Sequence, residues 1–253
     1  MRVLGLSMPL VKPGDDLGKL IFKAAEQAGG LRDGDVLVVA SKVVATAQGR
    51  VRELARVRPS ARARRLANRA GIEPEFVELV LREGGRVVQA AKGVILTLKG
   101  GMLCANAGVD NSNAPPGHAV LMPTKPDRAA EELRQAIARG AKARVGVIIV
   151  DSNVKPLRMG TVGQTIGVAG LEPVIDCRGQ YDLYGKPLRI TFRALADQLA
   201  TAAQLVMGEA AERVPAAIVR GVGVELAEKP KRSPKISPKR CIYFNGLKLS
   251  KKS

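Results

Sequence analysis

The sequence predicts an α+β fold of mixed sheets with packed helices. Three observations carry that expectation. Many short, strand-length apolar runs occur with amphipathic helices interspersed among them. Hydrophobic content is 46% while aromatic content is 3% with no Trp, so the core is built from Val, Leu, Ile and Ala. The 253 residues suffice for one large or two small domains, and no internal repeat divides them.

The elements follow in order. Residues 2–6 read as a strand ending at Ser7-Met8-Pro9-Leu10. Asp15 or Asp16 caps a helix running to Gly29-Gly30, with Leu17, Leu20, Ile21 and Ala24 on one face. Asp33-Gly34 turns into a strand at Asp35–Ala40, and Ser41–Thr46 leads to a second turn at Gly49. Pro59-Ser60 opens an Arg-rich helix that stops at Gly71. A further helix begins near Pro74 and carries Phe76, Val77, Val80 and Leu81. Strand-like runs follow at 86–90, 94–98, 102–106 and 119–122. Residues 127–139 form an amphipathic helix capped by Asp127, with Leu133 and Ile137 inward. A buried strand at 145–150, a glycine-rich stretch from Gly160 to Gly170, a helix at 193–207 and a last strand at Val214–Val219 complete the body. The expected division is a folded domain at 1–228, with room for two subdomains, and a basic tail at 229–253. Within that tail Cys241–Leu249 offers a small hydrophobic anchor.

Composition narrows the chemistry. One histidine, His118, excludes multi-His metal sites. Cys104, Cys177 and Cys241 are few and far apart, which argues against a disulfide framework or a structural zinc site. No run is long enough to span a membrane and no leader pattern opens the chain, so a soluble, cytoplasmic protein is expected. The net charge of +18 suits anionic ligands such as nucleotides. Neither GxxxxGK[ST] nor a strand-to-helix GxGxxG is present, so any nucleotide is held by another arrangement.

Two acidic segments stand out. Residues 104–113 read Cys-Ala-Asn-Ala-Gly-Val-Asp-Asn-Ser-Asn, and Asp151-Ser152-Asn153 follows the apolar run ending at Val150. In each, short oxygen ligands gather where a hydrophobic run stops, a pattern suited to a hard cation such as Mg²⁺ or Mn²⁺. The alternative is that Asp and Asn simply build loops there through local hydrogen bonds to backbone.

A set of specific segments runs in order along the chain: Pro-Leu-Val-x-Pro-Gly-Asp-Asp-Leu (9–17), Asp-Gly-Asp-Val-Leu-Val-Val-x-Ser-Lys (33–42) and Glu-Leu-Val-Leu-Arg-Glu (78–83). They continue with Cys-Ala-Asn-Ala-Gly-Val-Asp-x-Ser-Asn (104–113), Gly-Val-Ala-Gly (167–170), Asp-Leu-Tyr-Gly (182–185), Leu-Val-Met-Gly-Glu (205–209) and Ile-Val-Arg-Gly (218–221). Through these segments the chain, from Met8 to Gly221, resembles the coenzyme F420-0:L-glutamate ligase (F420 γ-glutamyl ligase) family.

The resemblance implies an intertwined homodimer that joins L-glutamate to F420-0 with GTP, through an acyl phosphate, and that can add a second, γ-linked glutamate. It implies two divalent cations per site, Mg²⁺ or Mn²⁺, and a K⁺. By position, Asp110 and Asp151 match the first cation's ligands, and Ser152 and Glu209 match the second's. Ser7, Met8, Pro9, Leu10, Ser41, Lys42, Thr46, Asn113, Met207, Gly208, Glu209 and Ala210 match positions that contact GTP. No residue is assigned a catalytic acid–base role.

Two stretches depart from the family pattern. Its Ser-Lys-Ala-Glu-Gly-Arg is here Ala45-Thr46-Ala47-Gln48-Gly49-Arg50, so a phosphate-contacting Lys is replaced by Thr46. Its Thr-x-Gly-Arg-Pro-x-Arg is Ser152-Asn153-Val154-Lys155-Pro156-Leu157-Arg158. These departures keep two other functions in view: a paralogous nucleotide-dependent amide ligase with a different acceptor, and a non-catalytic nucleotide- or RNA-binding protein.

Lys155 and Arg158 are candidates for holding acceptor or glutamate anions, with plain surface charge as the alternative. Tyr184 reads as a packing residue, with stacking on a flat ring as the alternative, and His118 as a turn residue. Arg62, Arg64, Arg65 and Arg69 read as a solvated helix face.

The tail's nine basic and no acidic residues give it affinity for polyanions through counterion release. A chain ending at Glu228 is expected to keep full turnover and lose salt-sensitive RNA retention. Loss of thermal stability or of self-association on truncation would show the tail to be structural.

Overall fold

The computed structural model describes residues 1–230 and 234–244. In chain order the strands and helices are β1 (Arg2–Leu6), α1 (Leu17–Gln27), β2 (Val36–Ala40), α2 (Ser41–Ala47), β3 (Val51–Glu53), α3 (Ala61–Ala70), α4 (Pro74–Arg82), β4 (Arg86–Ala91), β5 (Val94–Lys99) and β6 (Met102–Ala105). They continue with β7 (His118–Val120), α5 (Pro126–Ala141), β8 (Gly146–Val154), β9 (Thr161–Ala169), β10 (Ile175–Asp176), β11 (Phe192–Arg193), α6 (Leu195–Met207) and β12 (Ala216–Arg220). The architecture is α+β with mixed sheets, as expected. No helix among the described residues is long and apolar enough to cross a membrane.

The unbroken aliphatic runs of β2 and β8 suit strands covered on both faces. They pair in parallel at the heart of a five-stranded sheet of order β1-β12-β2-β8-β9, whose other neighbours are antiparallel. Alternation along each strand divides the core. Leu37, Val39, Val147 and Ile149 meet Ile21 of α1 and Leu133 and Ile137 of α5. Val36, Val38, Ile148 and Val150 meet Leu199, Ala200 and Ala203 of α6. A second lobe packs α3 and α4 on the three-stranded sheet β4-β5-β6 around Phe76, Val77, Val80 and Ile95. The antiparallel pair β3–β7 runs between the lobes.

Local chemistry sets most element ends. The Asp16 carboxylate caps α1 by accepting from Lys19 N at 3.0 Å, and Ser60 caps α3 by accepting from Ala63 N at 3.1 Å. Gly71, at φ 67°, ends α3. Asp35 is 1% exposed and binds Arg220 through both carboxylate oxygens, at 2.9 and 2.7 Å, which fastens the start of β2 to the end of β12.

Several expectations are corrected. Asp127 does not cap its helix. α5 begins at Pro126, and Asp127 accepts from Val168 N of β9 at 3.0 Å. The strand expected at 145–150 continues to Val154, so Asp151, Ser152 and Asn153 lie on β8 and not in a loop. The glycine-rich stretch is β9. Its glycines serve close packing: a Cβ on Gly163 would lie 2.5 Å from Ala200 C, and one on Gly167 would lie 2.5 Å from Pro126 C.

β9 carries a bulge, because Ile149 faces Gly167 while Val150 faces Thr165. Asp197, in the first turn of α6, accepts from Thr165 N at 2.8 Å, so Asp197 and Asp127 hold β9 on either side of the bulge. Tyr184, expected to pack, is 87% exposed. Leu157, Met159, Leu183 and Ile190 are exposed to a similar degree.

The segment after β12 is tied to the body. Ala227 N donates to Gly170 O at 3.1 Å, and Glu228 pairs with Arg134 at 2.8 Å. Lys235 and Ile236 lie beside Gly101. Of the expected anchor at Cys241–Leu249, residues 245–249 lie outside the described residues.

Gly163→Ala and Gly167→Ala are each expected to lower stability by about 1–3 kcal/mol, because the helices above β9 must move to admit a methyl group. Equilibrium denaturation checks this, and unchanged midpoints would show that the helices yield freely.

Candidate functional site

A cleft of about 1640 Å³ opens where the two lobes meet. Its floor is set by the parallel β2–β8 pair. Ala40 stands opposite Val150, so the next residues, Ser41 and Asp151, come side by side where β2 ends and its pairing with β8 stops. Ser41 Oγ donates to Asp151 Oδ1 at 2.7 Å. Ser41 opens α2, which brings Lys42 to the second acidic segment. Lys42 Nζ donates to Asp110 Oδ2 at 2.5 Å and to Ser112 O and Oγ, each at 2.7 Å.

Asp110 is held by a two-way backbone bridge to Val120, with N···O distances of 3.0 and 2.8 Å. The chain reaches it through three successive left-handed residues, Asn106 (φ 51°), Ala107 (φ 52°) and Gly108 (φ 76°). Side chains fix this turn. Asn106 Oδ1 accepts from Ile95 N at 2.9 Å, and Thr97 Oγ1 accepts from Ala107 N at 3.0 Å. Only glycine fits at 108, where a Cβ would lie 2.3 Å from Met122 Cγ.

The third expected carboxylate comes from the end of α6. Gly208, at φ 71° and ψ −172°, stops the helix and turns Glu209 into the cleft. Ser152 Oγ lies 2.8 and 3.0 Å from its two oxygens, Thr161 Oγ1 donates at 3.1 Å and Gln204 Nε2 at 3.3 Å. Gln204 also donates to Ser152 Oγ at 2.7 Å.

Asp110 and Asp151 sit in different electrostatic settings. Burial pushes Asp151 above the ordinary carboxylate range and the Asp110 charge adds to that push; Ser41 opposes it. Burial acts on Asp110 too, but the Lys42 ammonium and the Ser112 backbone and hydroxyl donors outweigh it and hold Asp110 below the ordinary range. The lobes thus bring together two carboxylates that titrate apart.

Of the residues expected to contact nucleotide, Met8, Pro9, Leu10, Ser41, Lys42, Thr46, Asn113, Met207, Gly208, Glu209 and Ala210 all line the cleft, whereas Ser7 is exposed outside it. Asn113 reaches across the opening and donates to Ala210 O at 2.8 Å. Lys155, Arg158 and Tyr184 are outside the cleft, while His118 lines it with Nδ1 2.9 Å from Pro116 O.

Among the described residues no three His, Cys, Asp or Glu side chains gather into one ligand set. The expected ligands form two oxygen-rich spots, Asp110 with Asp151 and Glu209 with Ser152 and Thr161. Carboxylate and hydroxyl oxygens without nitrogen or sulfur fit a hard divalent cation.

Sequence reasoning missed Gln204, Thr161, Arg50 and Glu83. Arg50 and Glu83 line the cleft as an ion pair at 2.5 Å, and Lys99 reaches the other Glu83 oxygen at 2.8 Å. A usable signal for Gln204 was its place in the last turn of a helix that ends at Met207, two residues before Glu209. Gln48 takes a structural part. It accepts from Thr124 N at 2.8 Å and donates to Thr124 O at 3.3 Å, clasping α2 to the loop before α5 outside the cleft lining.

The chain is thus a two-lobed α+β protein with paired carboxylates, a lysine and a second carboxylate–hydroxyl spot around one cleft. The family model described as F420-0:Gamma-glutamyl ligase matches residues 5–221, and the chain belongs to that family. It is 47% identical over 238 residues to the coenzyme F420:L-glutamate ligase of Methanopyrus kandleri, covering 92% of this chain and 93% of that one. It is 42% identical to the protein of that name from Methanothermobacter thermautotrophicus, covering 94% and 96% of the two chains. The match to the one from Methanosarcina acetivorans, 35% identical, covers 97% of this chain and 95% of that protein, so it extends past residue 228.

Because Asp151 titrates high in the folded chain, the folded state binds its proton more tightly than the unfolded state does. Its charge therefore costs stability at neutral pH, and that cost is gone once pH falls below the unfolded value of about 3.9. Asp151→Asn is expected to melt at a higher temperature than the parent at pH 7 in chelator-treated buffer, with the gap closing toward pH 3. An equal or lower melting temperature at pH 7 would show that Lys42 and Ser41 fully compensate the charge.

Proposed function

We propose that this chain is a GTP-dependent ligase that joins the amine of L-glutamate to the terminal carboxylate of F420-0, and then joins the amine of a second glutamate to the γ-carboxylate of the first. The observation that carries this reading is the meeting of Asp110 and Asp151 across the lobes, beside Lys42, in a cleft lined by family-matched residues. The reading places the reaction in the cytoplasm.

In the first step an oxygen of the acceptor carboxylate attacks the γ-phosphorus of GTP. The bond to the β-phosphate oxygen breaks, GDP leaves, and an acyl phosphate forms. In the second step the glutamate amine attacks the acyl carbon, the bond to the phosphate oxygen breaks, phosphate leaves, and the amine proton passes to solvent.

The chain's own residues bind and orient. Lys42 stands where a phosphate oxygen can replace Asp110 as its partner. Gly208 lets backbone come close to phosphate. Asn113 ties the cleft rim to Ala210, which narrows access of water to the acyl phosphate.

Asp110 and Asp151 would hold one Mg²⁺ or Mn²⁺, and Glu209 with Ser152 a second. Bound there, such ions neutralise phosphate charge and align the transferred group. A K⁺ completes the ion set that the family resemblance implies. The reading includes the intertwined homodimer that the family resemblance implies; Leu157, Met159, Leu183, Tyr184 and Ile190 are exposed apolar side chains that a partner would cover.

Incubation with F420-0, L-glutamate, GTP and Mn²⁺ should yield products one and two glutamyl residues heavier by mass spectrometry. Asp110→Asn should remain folded and lose ligation by at least about 100-fold, because one anionic ligand is gone. Product with ATP alone, or from a different acceptor alone, would favour the paralogous ligase.

Thr46 lines the cleft from the last turn of α2. Thr46→Lys is expected to tighten GTP binding by about 1.5–3 kcal/mol, the worth of a charge-assisted contact to phosphate. An unchanged dissociation constant by calorimetry would show that Thr46 lies away from the polyphosphate.

A further inference from the structure

The two acidic segments reach the cleft from different lobes, so something must fix their separation. We propose that Asn153 is the positioning residue that sets Asp110 relative to Asp151; this rests on the cation reading above. Asn153 lies two residues past Asp151 on β8 and therefore shares its face. It is 7% exposed, unusual for an amide unless its hydrogens are spoken for.

Both are engaged. Asn153 Nδ2 donates to Leu103 O at 2.7 Å and to Gln164 Oε1. Leu103 belongs to β6, and that strand runs directly into the left-handed Asn106–Gly108 turn that delivers Asp110. Gln164 stands opposite Asp151 in the β8–β9 register. One amide thus ties the Asp151 strand to the strand that feeds Asp110 and to Asp151's own cross-strand partner.

The chemistry of the position is restrictive. Leu103 O and Gln164 Oε1 are both acceptors, so the site needs a side chain with two hydrogens on one atom. A carboxylate would face two acceptors, a hydroxyl would satisfy one, and an aliphatic group would fill the space while leaving both oxygens unpaired. A group with both donors used holds one geometry where an apolar filler would let β6 slide on β8.

The test uses Asn153→Leu, close in size but without donors, and Asn153→Ala as a second variant that cannot overpack. Gln164→Leu removes the cross-strand partner while keeping the tie to Leu103. Mn²⁺ alone is titrated into each full-length chain by calorimetry, with thermal melts and steady-state ligation in parallel. Partners that orient cation ligands change metal affinity by about 10–100-fold when lost. Both Asn153 variants, folded by melting curve, should bind Mn²⁺ about tenfold or more weakly. Their kcat should fall to match while KM for GTP stays within about threefold, and Gln164→Leu, which keeps the tie to Leu103, should weaken Mn²⁺ binding less than either Asn153 variant does.

Mn²⁺ affinity within twofold of the parent in either folded Asn153 variant would overturn the proposal. So would an equal loss in Gln164→Leu, which would mean general loosening of β8. A parent chain without Mn²⁺ affinity would remove the cation reading and this proposal with it. That failure shows in the unsubstituted protein, whereas failure of the positioning role shows in the variants alone.

Discussion

Two carboxylates held close together in a half-buried cleft repel one another, and the arrangement of the site answers that repulsion. Asp151 follows the buried Gly146–Val150 half of β8, and Asp110 comes on a turn from the other lobe. The compensating donors both come from the first two residues of α2. Ser41 bonds Asp151 and Lys42 bonds Asp110, so one helix start supplies a hydroxyl to one carboxylate and a positive charge to the other. This works because β2 and β8 are parallel and their pairing ends at Ala40 and Val150, one residue before Ser41 and Asp151. A ligand crevice outside the carboxyl ends of adjacent parallel strands is the general consequence of such a sheet. The remaining strands of the sheet are antiparallel, so this pair alone creates the crevice.

Holding that geometry costs backbone freedom. Asn106 and Ala107 adopt left-handed conformations that side chains with a Cβ disfavour, and each costs of order 1–3 kcal/mol. They persist because Thr97 and Asn106 itself bind the backbone around the turn, and because Met122 closes on Gly108. Beside β8, β9 is bulged and pinned by Asp127 and Asp197 from the first turns of the two helices that cover it. The strained turn and the pinned bulge flank the β8 segment that carries Asp151, Ser152 and Asn153, of which Asp151 and Ser152 line the site.

How much of this was legible follows from range. Elements whose cause is local were read correctly: the amphipathic stripes of α1 and α5, the Ser60 and Gly71 ends of α3, and the aliphatic run of β2. β9 was not, because glycine is a turn signal in isolation. Its use as clearance for a helix backbone is visible only once α5 and α6 lie on the sheet. Asp127 was misassigned for the same reason. Next to Pro126 it looks like a cap, yet its partner is Val168, 41 residues on. The carboxylates themselves were legible through the family-matched segments. The groups that tune them, Lys42 for Asp110 and Ser41 for Asp151, lie 68 and 110 residues away, beyond any spacing argument.

The departures from the family pattern gain meaning from the same geometry. In the sequence, Thr46 and Gln48 are neighbours in one altered motif and cast the same doubt on nucleotide use. In the structure they part. Gln48 clasps Thr124 through both halves of its amide, accepting from the backbone N–H and donating to the carbonyl. A carboxylate could make only the first of these bonds, so glutamine at 48 is explained by the scaffold and says nothing about substrate. Thr46, one turn past Lys42 on the same helix, lines the cleft. The doubt about nucleotide recognition therefore narrows to one side chain. It bears on the charge available to a polyphosphate and leaves the carboxylate pair, its lysine and the strands that position them untouched.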